Sequence, residues 1–179
     1  FGYVGMGQVL EAQGRTLATT PLLQTALIGV SAILAGGSQE QKSTLLPKIA
    51  EGKITTALAI DERPHHAPTK TSLKAAQTGG AFTLEGKKTF VPNGQVADLF
   101  IVVARTSGAA GETSGLTLFL IPRDTDGLTV TPLDTLDTHG AANLELEAVV
   151  VPNADVLGPF DGGWDVLEPV LDRARIGMA

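Results

Sequence analysis

Cysteine is missing from all 179 residues, which excludes disulfides, zinc–thiolate sites, iron–sulfur clusters and a thiol nucleophile within this chain. Basic residues are in deficit: 13 Lys and Arg stand against 19 Asp and Glu, a formal net charge of −6. That balance argues against a nucleic-acid partner, whose phosphates call for clustered cations. No stretch approaches the roughly 20 apolar residues of a membrane span, and no basic n-region of a signal peptide is visible. What is present is a hydrophobic share of 43 % against 18 % charged, too apolar for disorder. A chain of this length hides roughly 70 % of its unfolded surface, enough for one core or two small ones. It opens Phe1-Gly2-Tyr3 without an initiator Met and stops at Ile176-Gly177-Met178-Ala179 inside a helical pattern. These ends lead us to expect an interior piece of a longer protein.

The first fifty residues read as helices. Val4, Gln8 and Glu11 share one side of a short helix expected to end at Gly14. Thr20-Pro21 supplies an N-cap and a proline at the first helical position. Leu23, Leu27, Val30 and Leu34 then recur at helical spacing until Gly36-Gly37. Ser38 and Gln41 form a capping box, and Leu45, Leu46 and Ile49 give the next apolar face. Pro47 is expected to kink that helix, and Gly52 to close it.

From Ile54 to Pro152 short β-type runs alternate with turn residues. They are Thr55–Ile60, Ser72–Gln77, Ala81–Glu85, Lys88–Val91, Leu99–Ala104, Leu116–Ile121, Leu128–Pro132 and Asn143–Val151. Gly79-Gly80, Glu85-Gly86, Asn93-Gly94 and Asp126-Gly127 are turn signals, since glycine accepts φ > 0. Arg105–Ser114 reads as a mobile polar loop. From Gly162 the pattern is helical again, with Trp164, Leu167, Leu171 and Ile176 on one face. Helices followed by strands imply an α+β fold with segregated parts. The expectation is a helical N-terminal part (1–53), a middle antiparallel β-barrel or sandwich domain (54–153), and a linker with the first helix of a C-terminal helical bundle (154–179).

Generic catalytic patterns contribute little. Gly2, Gly5 and Gly7 follow no strand and are not a dinucleotide fingerprint. There is no phosphate-loop motif, and no serine has an identifiable base partner. His65 and His66 are adjacent, so on an extended segment they point to opposite faces; a solvated loop is expected there, not a metal site. Asp61-Glu62 and Asp124/Asp126 are carboxylate pairs of the kind that sit in surface turns.

One ordered set of segments is more specific. Leu46-Pro47-Lys48-Ile49-Ala50-Glu51-Gly52-Lys53 precedes Ala57-Leu58-Ala59-Ile60-Asp61-Glu62. Leu84-Glu85-Gly86-Lys87-Lys88-Thr89-Phe90-Val91-Pro92-Asn93-Gly94 follows, then Gly115–Ile121, Val151-Pro152 with Val156-Leu157-Gly158, and Leu171-Asp172-Arg173-Ala174-Arg175. In this order and spacing the chain resembles the acyl-CoA dehydrogenase family over almost its whole length.

The resemblance implies an FAD-dependent oxidoreductase of fatty acid metabolism and β-oxidation. Such an enzyme removes an α-proton with a glutamate and a β-hydride to the flavin, giving a trans-2-enoyl-CoA. It implies an acyl-CoA substrate, an electron-transfer flavoprotein as redox partner, a homo- or hetero-oligomer, and a cytoplasmic location (the mitochondrial matrix in a eukaryote). By position, Leu58, Ile60 and Asp61 fall on the first flavin segment. Phe90, Val91 and Pro92 fall on the second, with Phe90 as the stacking aromatic. Asp172 and Arg175 match substrate-side positions, three residues apart on one helix face. Ala174 stands where some members carry the catalytic glutamate, so no catalytic residue is assigned in this chain and the base is expected further towards the C-terminus.

The chain departs from the family pattern Thr-Glu-Pro-x-x-Gly-Ser-Asp, reading Asp61-Glu62-Arg63-Pro64-His65-His66-Ala67-Pro68. Asp61 replaces a hydroxyl, His66 and Ala67 replace the glycine and serine, and Pro92 replaces a threonine. Two alternatives therefore stand beside the dehydrogenase: a non-catalytic or flavin-deficient partner subunit of a heteromeric enzyme, and a related flavin oxidase or monooxygenase.

Overall fold

A computed structural model describes residues 2–137 and 139–179. Helix α1 spans Gly2–Thr16. Helix α2 is π-helical over Leu23–Gly29 and α-helical over Val30–Gly36, and α3 covers Gln39–Ala50. Eight strands follow: β1 Thr56–Ala59, β2 Lys74–Thr78, β3 Ala81–Pro92, β4 Leu99–Arg105, β5 Leu116–Pro122, β6 Leu128–Leu133, β7 Ala141–Pro152 and β8 Val156–Leu157. Helix α4 closes the chain at Gly163–Met178. No helix among the described residues is long and apolar enough to cross a membrane.

The strands form one sheet in the order β6-β7-β3-β2-β4-β5-β8, with β1 added beside β4. Most pairings are antiparallel, but β1 lies parallel to β4 over Thr56–Ala59, and β2 meets β4 in parallel at Lys74 and Arg105. Strand β4 is buried at every position because both of its faces are covered. Phe100, Val102 and Ala104 enter a core between the sheet's own strands, beside Phe82 and Phe119. Leu99, Ile101 and Val103 enter a second core against α2 and α4. Alternation at period two is thus kept, but neither side faces water.

Helix α2 also caps the open edge of β1. The Thr25 hydroxyl accepts the Thr56 N–H at 3.0 Å and donates to the Thr56 carbonyl, so the edge is closed by side chains. This requires close approach, and Gly29 permits it.

Several expectations are corrected. Helix α1 runs through Gly14; Leu17, with φ +49°, ends it in the left-handed conformation. The capping box at Ser38 and Gln41 is present, but α3 continues past Pro47. Glu85-Gly86 is not a turn: both lie within the single strand β3, where the register to β7 slips around Ala148 at φ +52°. On α4 the buried stripe is Gly163, Val166, Leu167, Val170, Leu171 and Ala174, whereas Ile176 is exposed. Segment 106–115 is tethered, because the Arg105 guanidinium donates to the carbonyls of Thr69, Thr71, Ser107, Glu112 and Ser114.

A Cβ at Gly29 would lie 2.0 Å from Thr56 Oγ1. Gly29→Ala should therefore push α2 off β1 and cost roughly 1–3 kcal/mol, as overpacking does. Urea unfolding checks this, and an unchanged midpoint would show that the two elements are not in such contact.

Candidate functional site

The site is built where β1 leaves the sheet and passes β3. Pairing of β1 with β4 stops at Ala59. Beyond it, Ile60, Asp61 and Arg63 are fastened to β3 instead. Thr89 N–H donates to the Asp61 carbonyl at 2.8 Å, Lys88 Nζ to the Ile60 carbonyl at 2.8 Å, and the Thr89 hydroxyl to the Arg63 carbonyl at 3.4 Å. The two segments singled out in the sequence therefore lie side by side.

At this junction β3 carries a bulge. Lys88 pairs with Leu144 and Val91 with Ala142, leaving Thr89 and Phe90 opposite the single residue Asn143. Phe90 takes φ +50°, and its N–H donates to Asn143 Oδ1 at 3.0 Å. Such an insertion flips the facing of everything after it. Lys88 points inward, and without the bulge Phe90 would follow it into the core. Instead Val91 is buried at 1 % exposure and the Phe90 ring is turned out at 57 %. Phe90 and Pro92 form one wall of a cleft of about 750 Å³, whose other walls come from α1, from Leu23 and Gln24 of α2, and from the Ile176–Ala179 end of the chain.

The remaining predicted site residues take other places. Leu58 and Ile60 are buried in the core between sheet and helices. Asp61 turns its carboxylate back onto its own loop, with Oδ1 accepting the Ala67 N–H at 2.9 Å and Oδ2 lying 2.8 Å from His66 Nδ1. Asp172 and Arg175 are both exposed on α4 and pair with each other at 2.5 Å; neither lines the cleft.

Residues 61–151, just over half of the chain, match the model of the acyl-CoA dehydrogenase middle domain, and residues 1–53 match that of the N-terminal domain. The chain belongs to the acyl-CoA dehydrogenase family. It is 33 % identical over 157 residues to an acyl-CoA dehydrogenase of Bacillus subtilis, covering 85 % of this chain and 41 % of that protein. The butyryl-CoA dehydrogenase structure of Megasphaera elsdenii superposes with a TM-score of 0.80 at 28 % identity, over 87 % of this chain and 42 % of that one. A glutaryl-CoA dehydrogenase of Mycobacterium smegmatis, solved in complex with FADH2, gives 0.75 at 28 % identity, over 84 % and 38 %. The chain thus spans less than half the length of these relatives. Its helices, mixed β sheet and final helix follow the fold of that family.

Sequence reasoning passed over the partner of the motif lysine. Lys88 is 0 % exposed, and its Nζ lies 2.8 Å from Glu62 Oε1, itself 13 % exposed. Glu62 also accepts the N–H groups of Ser72 and Leu73 and the Ser72 hydroxyl, so it is an anchor, not a surface-turn carboxylate. The available signal was a lysine at an inward position of an otherwise apolar alternation. Asn143, which caps the bulge, was also missed; it shares the outward positions of β7 with Glu145 and Glu147, where a polar residue carries no signal.

Burial pushes the Lys88 ammonium down to about 8, against the pull of Glu62 and Asp61. Burial acts on Glu62 in the raising direction, but the Lys88 charge and the hydrogen bonds from Lys88, Ser72 and Leu73 together outweigh it, so the carboxyl is held below its ordinary 4.5. A carboxyl depressed on folding gives stability that is full above its unfolded pKa and lost as pH falls through the folded one. Glu62→Gln should therefore flatten the fall of the urea midpoint below about pH 4.5; parallel profiles for the two proteins would show that Glu62 does not drive it.

Proposed function

We propose that this chain is the cofactor-facing part of an FAD-dependent acyl-CoA dehydrogenase acting on the α,β bond of an acyl-CoA thioester. On this reading 1–53 ends a helical domain, 54–153 is the β domain, and 154–179 opens a C-terminal helical domain. The observation that carries the proposal is the bulge that takes Phe90 out of the core and lays it on the cleft wall. An exposed phenylalanine held at φ +50° is a costly arrangement for a residue that only packs, and such strain collects at binding sites.

The residues present fit a flavin. Phe90 offers a flat aromatic face, and Pro92 extends the same apolar edge. Leu58 and Ile60, whose side chains are buried, contribute backbone to this region. Bound FAD supplies the acceptor for the hydride that leaves the β-carbon. The chain's own residues bind, orient and exclude water. The α-proton needs a carboxylate from elsewhere in the protein, because Ala174 has no proton-accepting group and is buried against the sheet. The family's electron-transfer flavoprotein, an oligomeric assembly and a cytoplasmic or mitochondrial-matrix location belong to the same proposal.

A flavin-deficient partner subunit is the second reading. It is favoured by the loop Arg63-Pro64-His65-His66-Ala67-Pro68, where proline and histidine crowd a segment that is glycine- and serine-containing in the family pattern.

Incubation of the intact protein with FAD, followed by acyl-CoA under anaerobic conditions, separates the two. The dehydrogenase reading expects a flavin absorbance band that bleaches on addition of substrate; a protein that retains no flavin overturns it and leaves the second reading. Phe90→Ala should weaken FAD retention about tenfold, the factor that about 1.4 kcal/mol of lost ring contact represents, with an unchanged melting temperature. Unchanged retention would remove Phe90 from the flavin. Asp172 and Arg175 are proposed to border the substrate, on the turn of α4 that leads into Ile176 at the cleft. Arg175→Ala should raise the KM for acyl-CoA with kcat unchanged, and an unaltered KM would leave the two as a solvated ion pair.

A further inference from the structure

We infer that Glu62 and Lys88 are a positioning pair for the cofactor site, locking the end of β1 against β3 so that the Thr89–Phe90 bulge holds its ring in one orientation. The inference rests on the flavin reading above but adds residues that touch neither cleft wall.

Three observations carry it. First, residues 60–63 have left the ladder to β4, and the bonds that fasten them to β3 come from Lys88 Nζ, Thr89 N–H and the Thr89 hydroxyl. Two consecutive residues of β3 thus hold this segment, and the next residue is Phe90. Second, Glu62 takes the ammonium on one side and the Ser72 and Leu73 N–H groups on the other. The same carboxylate therefore ties β3 to the chain that returns from the 63–71 loop, just before β2. Third, a buried ion pair is a poor way to gain stability, because desolvation of both charges offsets their attraction, and apolar residues of similar volume serve as well. What the pair adds is direction: a lysine donor reaches the Ile60 carbonyl and the Glu62 carboxylate at once, which no aliphatic side chain does.

A structural pair and a positioning pair predict different things. Lys88→Met alone strands the Glu62 charge in the interior and is expected to unfold the domain. The double variant Lys88→Met/Glu62→Gln removes both charges and strands neither, so it carries the comparison; Glu62→Gln alone leaves the buried Lys88 ammonium a neutral acceptor in place of its counter-charge. The intact protein and these variants are compared by thermal melting, by amide exchange at Thr89 and Phe90 without added flavin, and by titration with FAD followed by the visible circular dichroism of the bound flavin.

Positioning predicts that the folded variants still melt in a single cooperative transition. Their Thr89 amide should exchange faster, their FAD affinity should fall about tenfold, and the flavin dichroic band should shrink, as misorientation at a binding site costs affinity without loss of fold. Unchanged exchange at Thr89 together with unchanged FAD affinity and dichroism would overturn the inference. Wild-type protein that takes up no FAD would end the flavin reading instead. The exchange comparison would then decide the clamp alone: faster Thr89 exchange in the variants upholds it, and unchanged exchange overturns it.

Discussion

The register of β3 depends on a single extra residue. Strand geometry allows only two facings, and without an insertion Lys88 and Val91 could not both point inward. The chain satisfies both by placing Thr89 and Phe90 opposite Asn143 alone. The costs are a left-handed φ on an aromatic residue and a buried ammonium. The Asn143 side chain meets the first by accepting the Phe90 N–H. Glu62 and the Ile60 carbonyl meet the second. Remove the insertion and Phe90 turns inward, Val91 turns to solvent, and the cleft loses its aromatic wall.

The cleft's opposite walls have an equally local origin. Helices α1, α2 and α4 converge at Gly177, where a Cβ would meet Leu27 at 2.4 Å and Leu23 and Leu10 at about 3 Å. A side chain there would wedge the helices apart. Because α4 buries Val166, Leu167, Val170 and Ala174 against β4 and β5, its end is carried past the sheet, and Ile176 and Met178 stand exposed beside the cleft. The fully apolar faces of β4 and β5 therefore do more than fill a core. They carry the helical wall that lies across the cleft from the ring on β3.

Much of this was legible in the residues. Caps and turns follow from side-chain chemistry that acts within a few positions, so Ser38 with Gln41, Gly52, and Gly79-Gly80 could be read locally. The order of helices and strands followed from periodicity. The two segments were singled out by the resemblance, and the contacts of Thr89 and Lys88 place them side by side. What could not be read are features decided across the sheet. A bulge depends on the strand opposite, and nothing in Glu85-Gly86 distinguishes a bend within one strand from a turn between two. The partner of Lys88 could not be read locally because it lies twenty-six residues away. Ile176 fitted the helical stripe of α4, but the sheet ends before it.

The departures at Asp61, His66 and Ala67 can now be considered together. Separately they are a carboxylate where a hydroxyl belongs and a bulky ring where a glycine belongs. In the fold they are one unit, because both Asp61 oxygens are occupied by donors from the other two positions, the Ala67 N–H and the His66 ring. The carboxylate so engaged is turned into its own loop, and Lys88 Nζ reaches the preceding carbonyl of Ile60. Glycine at 66 would remove the Asp61 ring partner, and a single hydroxyl oxygen at 61 would replace two carboxylate oxygens that take His66 and Ala67 separately. The two positions are thus linked in this chain, and they brace the loop that is fastened to β3 at Arg63.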